Sequence, residues 1–160
     1  MTYISYRKRV IFILLKSLFI LVVLSACPSV KAQTQPRYGN LRVVVNNYRN
    51  RSGQIAFFLF SSGDQFPGHT EKAILSSYVK ISGITTEYTF TNVPLGACAV
   101  YVFHDEDSNK ELNTSFIGMP KEGVGVSNNA KGHFGPPKYD DAKITINKPD
   151  QSISISLTYL

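Results

Sequence analysis

Asp105, Asp107 and Asn109 place oxygen-bearing side chains at alternate positions, just after the apolar run Ala97 to Phe103. A hard cation such as Ca²⁺ takes six to eight oxygens, and a tight turn can aim alternate residues at one centre. Asn113 follows as a further ligand or a holder of water, and the carbonyl of Glu111 is a candidate backbone ligand. The segment is not an EF-hand. That loop has Gly at its sixth position and Glu at its twelfth, where this chain has Lys110 and Phe116. A shorter Asp-x-Asp-x-Asn calcium turn is one reading. The other needs no ion: Asp and Asn side chains bond to nearby backbone and turn the chain at a strand exit.

Other chemistries are weaker on the same residues. His69, His104 and His133 are widely spaced, and Cys98 is the only cysteine near them, whereas zinc needs three or four convergent ligands. Ser127 with His104 and an aspartate would make a nucleophilic triad, but a chain of this size offers many such triples. Cys98 lies inside an apolar strand and reads as a core residue. The expectation is therefore a protein that is not an enzyme and has no cofactor beyond calcium.

These residues open a segment from His104 to Asp141 that is rich in Gly, Asn, Asp and Pro and has almost no β pattern. Structureless segments of this length are uncommon in compact domains and usually carry function or are disordered. Its glycines and prolines imply a defined shape. His104, Phe116, Met119, Glu122, Ser127, Phe134 and Tyr139 are expected on the loop surface. Alternatively, its aromatic and Met side chains fold back to cover one open end of the domain.

The elements that must hold this loop read as strands. Leu41–Asn46, Gln54–Phe60, Tyr78–Ser82, Thr86–Val93, Ala97–Phe103, Ala142–Ile146 and Ile153–Tyr159 are β-branched, aromatic or alternating, with turn residues between most of them. Asn147-Lys148-Pro149-Asp150 reads as a hairpin turn. No segment after residue 32 has a sustained 3.6-residue apolar stripe; Thr70 to Ser77 could make at most two helical turns. The spacing predicts an all-β, seven-stranded antiparallel sandwich of the immunoglobulin or transthyretin kind, spanning residues 41–160 after a linker at 33–40. Val43, Phe58, Val100 and Ile155 are expected to share its interior.

The formal charge of +6 does not describe that domain. Residues 1–32 hold five basic residues and no acid, while the remainder holds 12 basic and 11 acidic. A nearly neutral domain has no broad attraction to phosphate backbones, so nucleic acid is not an expected partner. Arg7 to Arg9 followed by Val10–Leu15 and Leu18–Ala26 has the form of a signal peptide. The second run falls short of the roughly 20 residues that span a bilayer. Joining it to the first puts Lys16 in the membrane, at roughly 2.5–3.5 kcal/mol. Two cleavage sites compete. Val30-Lys31-Ala32 would release a chain from Gln33, making 1–32 the leader. Leu24-Ser25-Ala26-Cys27 has the form of a lipobox, making 1–26 the leader and Cys27 the lipidated residue. Either places the product in the periplasm or outside the cell, with a lipid at Cys27 as the only membrane contact. With Cys98 then alone, the domain has no disulfide framework and must rest on its core.

Several motifs resemble those of the bacterial secreted proteins grouped as domain of unknown function 2141. They are Gly53, the Asn92–Gly96 turn, His104-Asp105, the Gly118–Ser127 segment and Phe134–Pro137. The resemblance extends over Leu41 to Tyr159 and implies a sandwich fold related to transthyretin-like and immunoglobulin-like modules. It implies no activity. Members of that family commonly have Gly at the place of Lys110 and Asp at the place of Asn113, so any calcium site here would be a weakened one. The resulting expectation is a monomeric, non-enzymatic binding or structural module of the cell envelope, acting on an envelope protein or glycan through the 104–141 loop. Calcium-dependent ligand or carbohydrate binding is the second reading, and a small hydrolase the third.

Overall fold

The computed structural model describes residues 38–132 and 135–160. The expected leader, Cys27 and both candidate cleavage sites lie outside the described residues, as do His133 and Phe134. Residues 36–160 form a compact unit of their own.

The unit is all-β, with eight strands in two sheets. They are β1 (Tyr38–Asn46), β2 (Gln54–Phe60), β3 (Leu75–Lys80), β4 (Thr86–Pro94), β5 (Gly96–Asp105), β6 (Val124–Val126), β7 (Ile144–Ile146) and β8 (Asp150–Ser156). Among the described residues the one α-helix, α1, is a single turn at Tyr139–Ala142. No helix among the described residues is long and apolar enough to cross a membrane. The smaller sheet has the order β4-β1-β8. The larger runs β3-β2-β5, with β6 and β7 in succession along the remaining side of β5: β6 pairs Tyr101–Phe103, and β7 pairs Gly96–Cys98.

The structure departs from four expectations. The count is eight because β6 lies inside the segment that looked patternless. Its alternation Val124-Gly125-Val126 is hidden by glycine at the position facing β8, where a Cβ would come within 2.7 Å of Ile155 Cγ2. The sheets are not purely antiparallel, since β1 and β8 run parallel from Asn40↔Asp150 to Asn46↔Ser156. Residues 147–150 are therefore no hairpin: β7 pairs with β5 and β8 with β1, so the turn carries the chain from one sheet to the other. β1 also begins at Tyr38, inside the expected linker.

Period two sorts the strand residues into two apolar layers. Between the sheets lie Val43, Phe57, Leu59, Val100, Val102 and Ile155, all fully buried, with others of the same alternation. Phe58 does not share that interior. Its neighbour Phe57 takes the inward place, and pleating sends Phe58 to the opposite face. There it stacks on Phe103 with ring centroids 5.8 Å apart and joins Phe60, Tyr101 and Val126. That outer face is buried too, because Phe66, Leu112, Ala130 and Tyr139 pack over it. The 104–141 segment thus covers a sheet face, whereas the expected alternative was an open end of the sandwich.

Candidate functional site: the carboxylate-pinned loop

β5 ends at Asp105, which is fully buried. Its carboxylate reaches into the turn that follows. Oδ1 accepts the Asn109 N–H at 3.0 Å; Oδ2 accepts the Lys110 N–H at 3.0 Å and the Gln54 Nε2 amide at 2.7 Å. Gln54 is the partner of Asp105 across the β2–β5 ladder, so the strand register sets this contact. Gly53, at φ +70°, lets the preceding turn press against the backbone of Asp105 and Glu106, where any Cβ would collide.

Glu122 closes the loop from its far side. It is 3 % exposed; Oε1 accepts the Glu106 N–H and Oε2 the Asn113 N–H, both at 2.9 Å. Asp107 completes the group from solvent. Oδ1 accepts the Asn109 N–H at 3.2 Å, and Oδ2 accepts the Asn109 and Asn113 side-chain amides at 3.0 and 2.9 Å. These bonds, led by the Asn113 amide, hold the Asp107 carboxyl below its ordinary pKa. One oxygen each of Asp105, Asp107 and Glu122 lies within 4.8 Å of the others. The sequence thus names Asp105, Asp107, Asn109 and Asn113 as one group, and the structure brings all four together. It adds Glu122, which spacing alone could not assign because it returns 17 residues after Asp105.

The group supports a finger at 114–120. Thr114 pairs with Pro120, the Ser115 N–H donates to the Met119 carbonyl, and the Lys121 N–H donates to the Asn113 carbonyl. Phe116 is 101 % exposed at its tip, beside Ile117 and Met119, which are also exposed. Of the two outcomes the sequence left open, Phe116 and Met119 take the exposed one, and neither folds back.

Other residues expected on the loop surface are inside. His104 is fully buried; Nε2 lies 2.8 Å from the Ser52 carbonyl and Nδ1 2.8 Å from the Tyr159 hydroxyl. The carbonyl can only accept, so Nε2 carries the proton. The Tyr159 hydroxyl also accepts the Arg49 N–H, so its own proton goes to His104 Nδ1. Glu122 is drawn in by the two amides it serves. Ser127 is buried as well: Oγ accepts the Val100 N–H at 2.9 Å and donates to the Ala142 carbonyl at 2.5 Å, stapling α1 to β5. Tyr139 is half-buried against Phe66.

Among the described residues neither the imagined triad nor the zinc set assembles. Ser127 contacts β5 at Val100, four residues from His104, which is about 13 Å along a strand. His69 sits in the loop after β2, near the end of β5 remote from His104, and is exposed against Glu71. Cys98 is buried in the core, and burial pushes its thiol pKa up to about 11.

Taken together, two facing sheets and a long loop tied down by buried carboxylates define a small all-β domain that displays a rigid finger. The chain belongs to an uncharacterised protein family conserved in bacteria, DUF2141, whose pattern matches residues 43–154. No curated protein matches the chain. No solved structure matches it either.

Proposed function

We propose that this protein is an exported, non-enzymatic binding module of the cell envelope, akin to immunoglobulin-like and transthyretin-like sandwich modules, with the 104–141 loop as its contact surface. The observation that carries this reading is the finger. Phe116, Ile117 and Met119 stand in water on a hairpin whose base is held by about a dozen hydrogen bonds to carboxylate and amide side chains. Exposed apolar side chains on a rigid support are typical of contact sites, because little ordering entropy is lost on binding. Beyond Tyr38 the leader supplies export, and a lipid at Cys27 would tether the domain by the end of β1 remote from the finger.

A photo-crosslinking residue at position 116, introduced in the producing cells, tests this. Discrete adducts at 116, with none from a matched probe at Thr89 on the open face of the smaller sheet, are expected. Equal labelling at both positions removes the reading, as does a tip that forms no adduct with either protein or lipid.

One observation favours calcium-dependent binding as a second reading: the 4.8 Å convergence of Asp105, Asp107 and Glu122 oxygens. An ion there would need the Asn109 and Asn113 amides to turn their oxygens inward. A melting midpoint raised by millimolar Ca²⁺, and unresponsive in Asp107→Asn, supports it; an unchanged midpoint removes it.

A further inference from the structure

The finger does not stand alone at its end of the sandwich. The turns after β1 and β3 and the loop after β5 all open there: the Tyr48 hydroxyl bonds the Gly83 carbonyl, and the Tyr48 ring lies 6.0 Å from that of His104. The β3–β4 turn adds Ile84, 76 % exposed, to the apolar residues of the finger. Among the described residues, four of the seven large exposed hydrophobics thus project from two separate loops at one end.

The charges around them are unequal. Asp105 and Glu122 are buried and consumed by backbone amides, so they present little to a partner. Glu106 is paired with Arg49 at 2.8 Å. That leaves Arg51, Lys80, Lys110 and Lys121 exposed, without an ion-pair partner among the described residues, against the exposed acids Asp107 and Glu111.

We propose that this loop end docks on an anionic phospholipid bilayer, with Phe116 and Ile117 entering the interface and the surrounding Lys and Arg side chains meeting the headgroups. This rests on the loop end being a contact surface and names what it contacts. The shape argues for lipid. A protein pocket would have to match each convex apolar tip, whereas a fluid interface accepts side chains from separate loops at once. The excess of basic over acidic exposed groups is of the sign that anionic headgroups attract. Membrane contact would then not depend on Cys27.

The chain contains no tryptophan, so Phe116→Trp installs a single emission probe at the tip. The measurement uses residues 36–160, which are a compact unit with all of the described core, so that the apolar leader contributes nothing. With vesicles of phosphatidylglycerol, the emission should shift to the blue and be quenched by brominated acyl chains. With phosphatidylcholine alone, binding should be at least tenfold weaker, and salt should weaken binding to the anionic vesicles. The double substitution Phe116→Ser and Ile117→Ser should cut co-sedimentation at least tenfold while leaving the melting midpoint in place. An indole that stays water-exposed at every lipid concentration overturns the proposal, as does binding that survives the double substitution. If vesicles fail while crosslinks from position 116 reach an envelope protein, only the lipid assignment falls. If both fail, the contact-surface reading falls with it.

Discussion

The space between the sheets and the base of the finger hold their parts by opposite means. Between the sheets, Leu41, Val43, Phe57, Val102 and Ile155 exclude water with apolar surface alone. Under the finger, Asp105 and Glu122 are buried as completely, and no cation among the described residues pairs with either. Their charge is met by backbone and side-chain amides. An apolar layer tolerates exchange of one hydrocarbon for another of similar volume. A carboxylate with fixed donors tolerates almost nothing, since each lost oxygen strands a buried N–H. The contrast suggests a frame that is generic and a loop whose conformation is specified atom by atom.

The largest effect that bears on this contrast should come from the frame. Phe57→Ala removes a fully buried ring and should cost about 3–5 kcal/mol in chemical denaturation, whereas Phe57→Leu should cost much less. Asp105→Ala should follow at about 3 kcal/mol, because the amides of Asn109, Lys110 and Gln54 lose their acceptor together. A loss under about 1 kcal/mol would mean that relief of repulsion among three neighbouring carboxylates offsets those bonds, and the contrast would break.

Acid and alkali should separate the two regions. The Asp107 carboxyl is held below its ordinary pKa, so its stabilisation is present above the usual carboxylate range and is lost as pH falls through the lowered folded value. Limited proteolysis in that acid range should cut at 106–122 before the strands give way. The Cys98 thiol is shifted the other way, from 9.0 to about 11. Its contribution is complete below pH 9 and lost as pH climbs toward 11, read as loss of near-ultraviolet dichroism and onset of thiol alkylation. The smallest effect is a gain. Lys110 has φ +68°, so Lys110→Gly should stabilise by up to about 1 kcal/mol if the released strain exceeds the added chain entropy. A loss would show that Lys110 lying 5.7 Å over the Tyr78 ring matters more than backbone strain.

The frame was largely legible in the sequence because alternation and turn residues act locally. Val43, Val100 and Ile155 meet as their spacing required, and β2, β4 and β5 fall near their expected bounds, whereas β3 starts at Leu75, three residues before its expected start at Tyr78. The misreadings share one origin: they depend on partners remote in sequence. Phe58 takes the outer place that pleating leaves it, and that face is buried only because the 104–141 segment brings Tyr139 over it, beside Phe66 from the loop after β2. β6 was missed because glycine at its inward position erased the apolar alternation. At the loop, acid and amide spacing marked Asp105, Asp107, Asn109 and Asn113, but side-chain type alone does not distinguish Glu122 or Ser127 from solvated residues. The Gly-x-Gly that follows Glu122 was the available signal, since closely approaching backbone there brings its neighbours inward.

The parallel pairing of β1 with β8 sets an order of events on the chain. The central strand of the smaller sheet finds one neighbour only when the last strand has emerged, since Asn40 and Asp150 are 110 residues apart. Until then Val43 and Val45 have no complete layer to enter. A ribosome-bound chain therefore cannot close this domain until β8 has emerged.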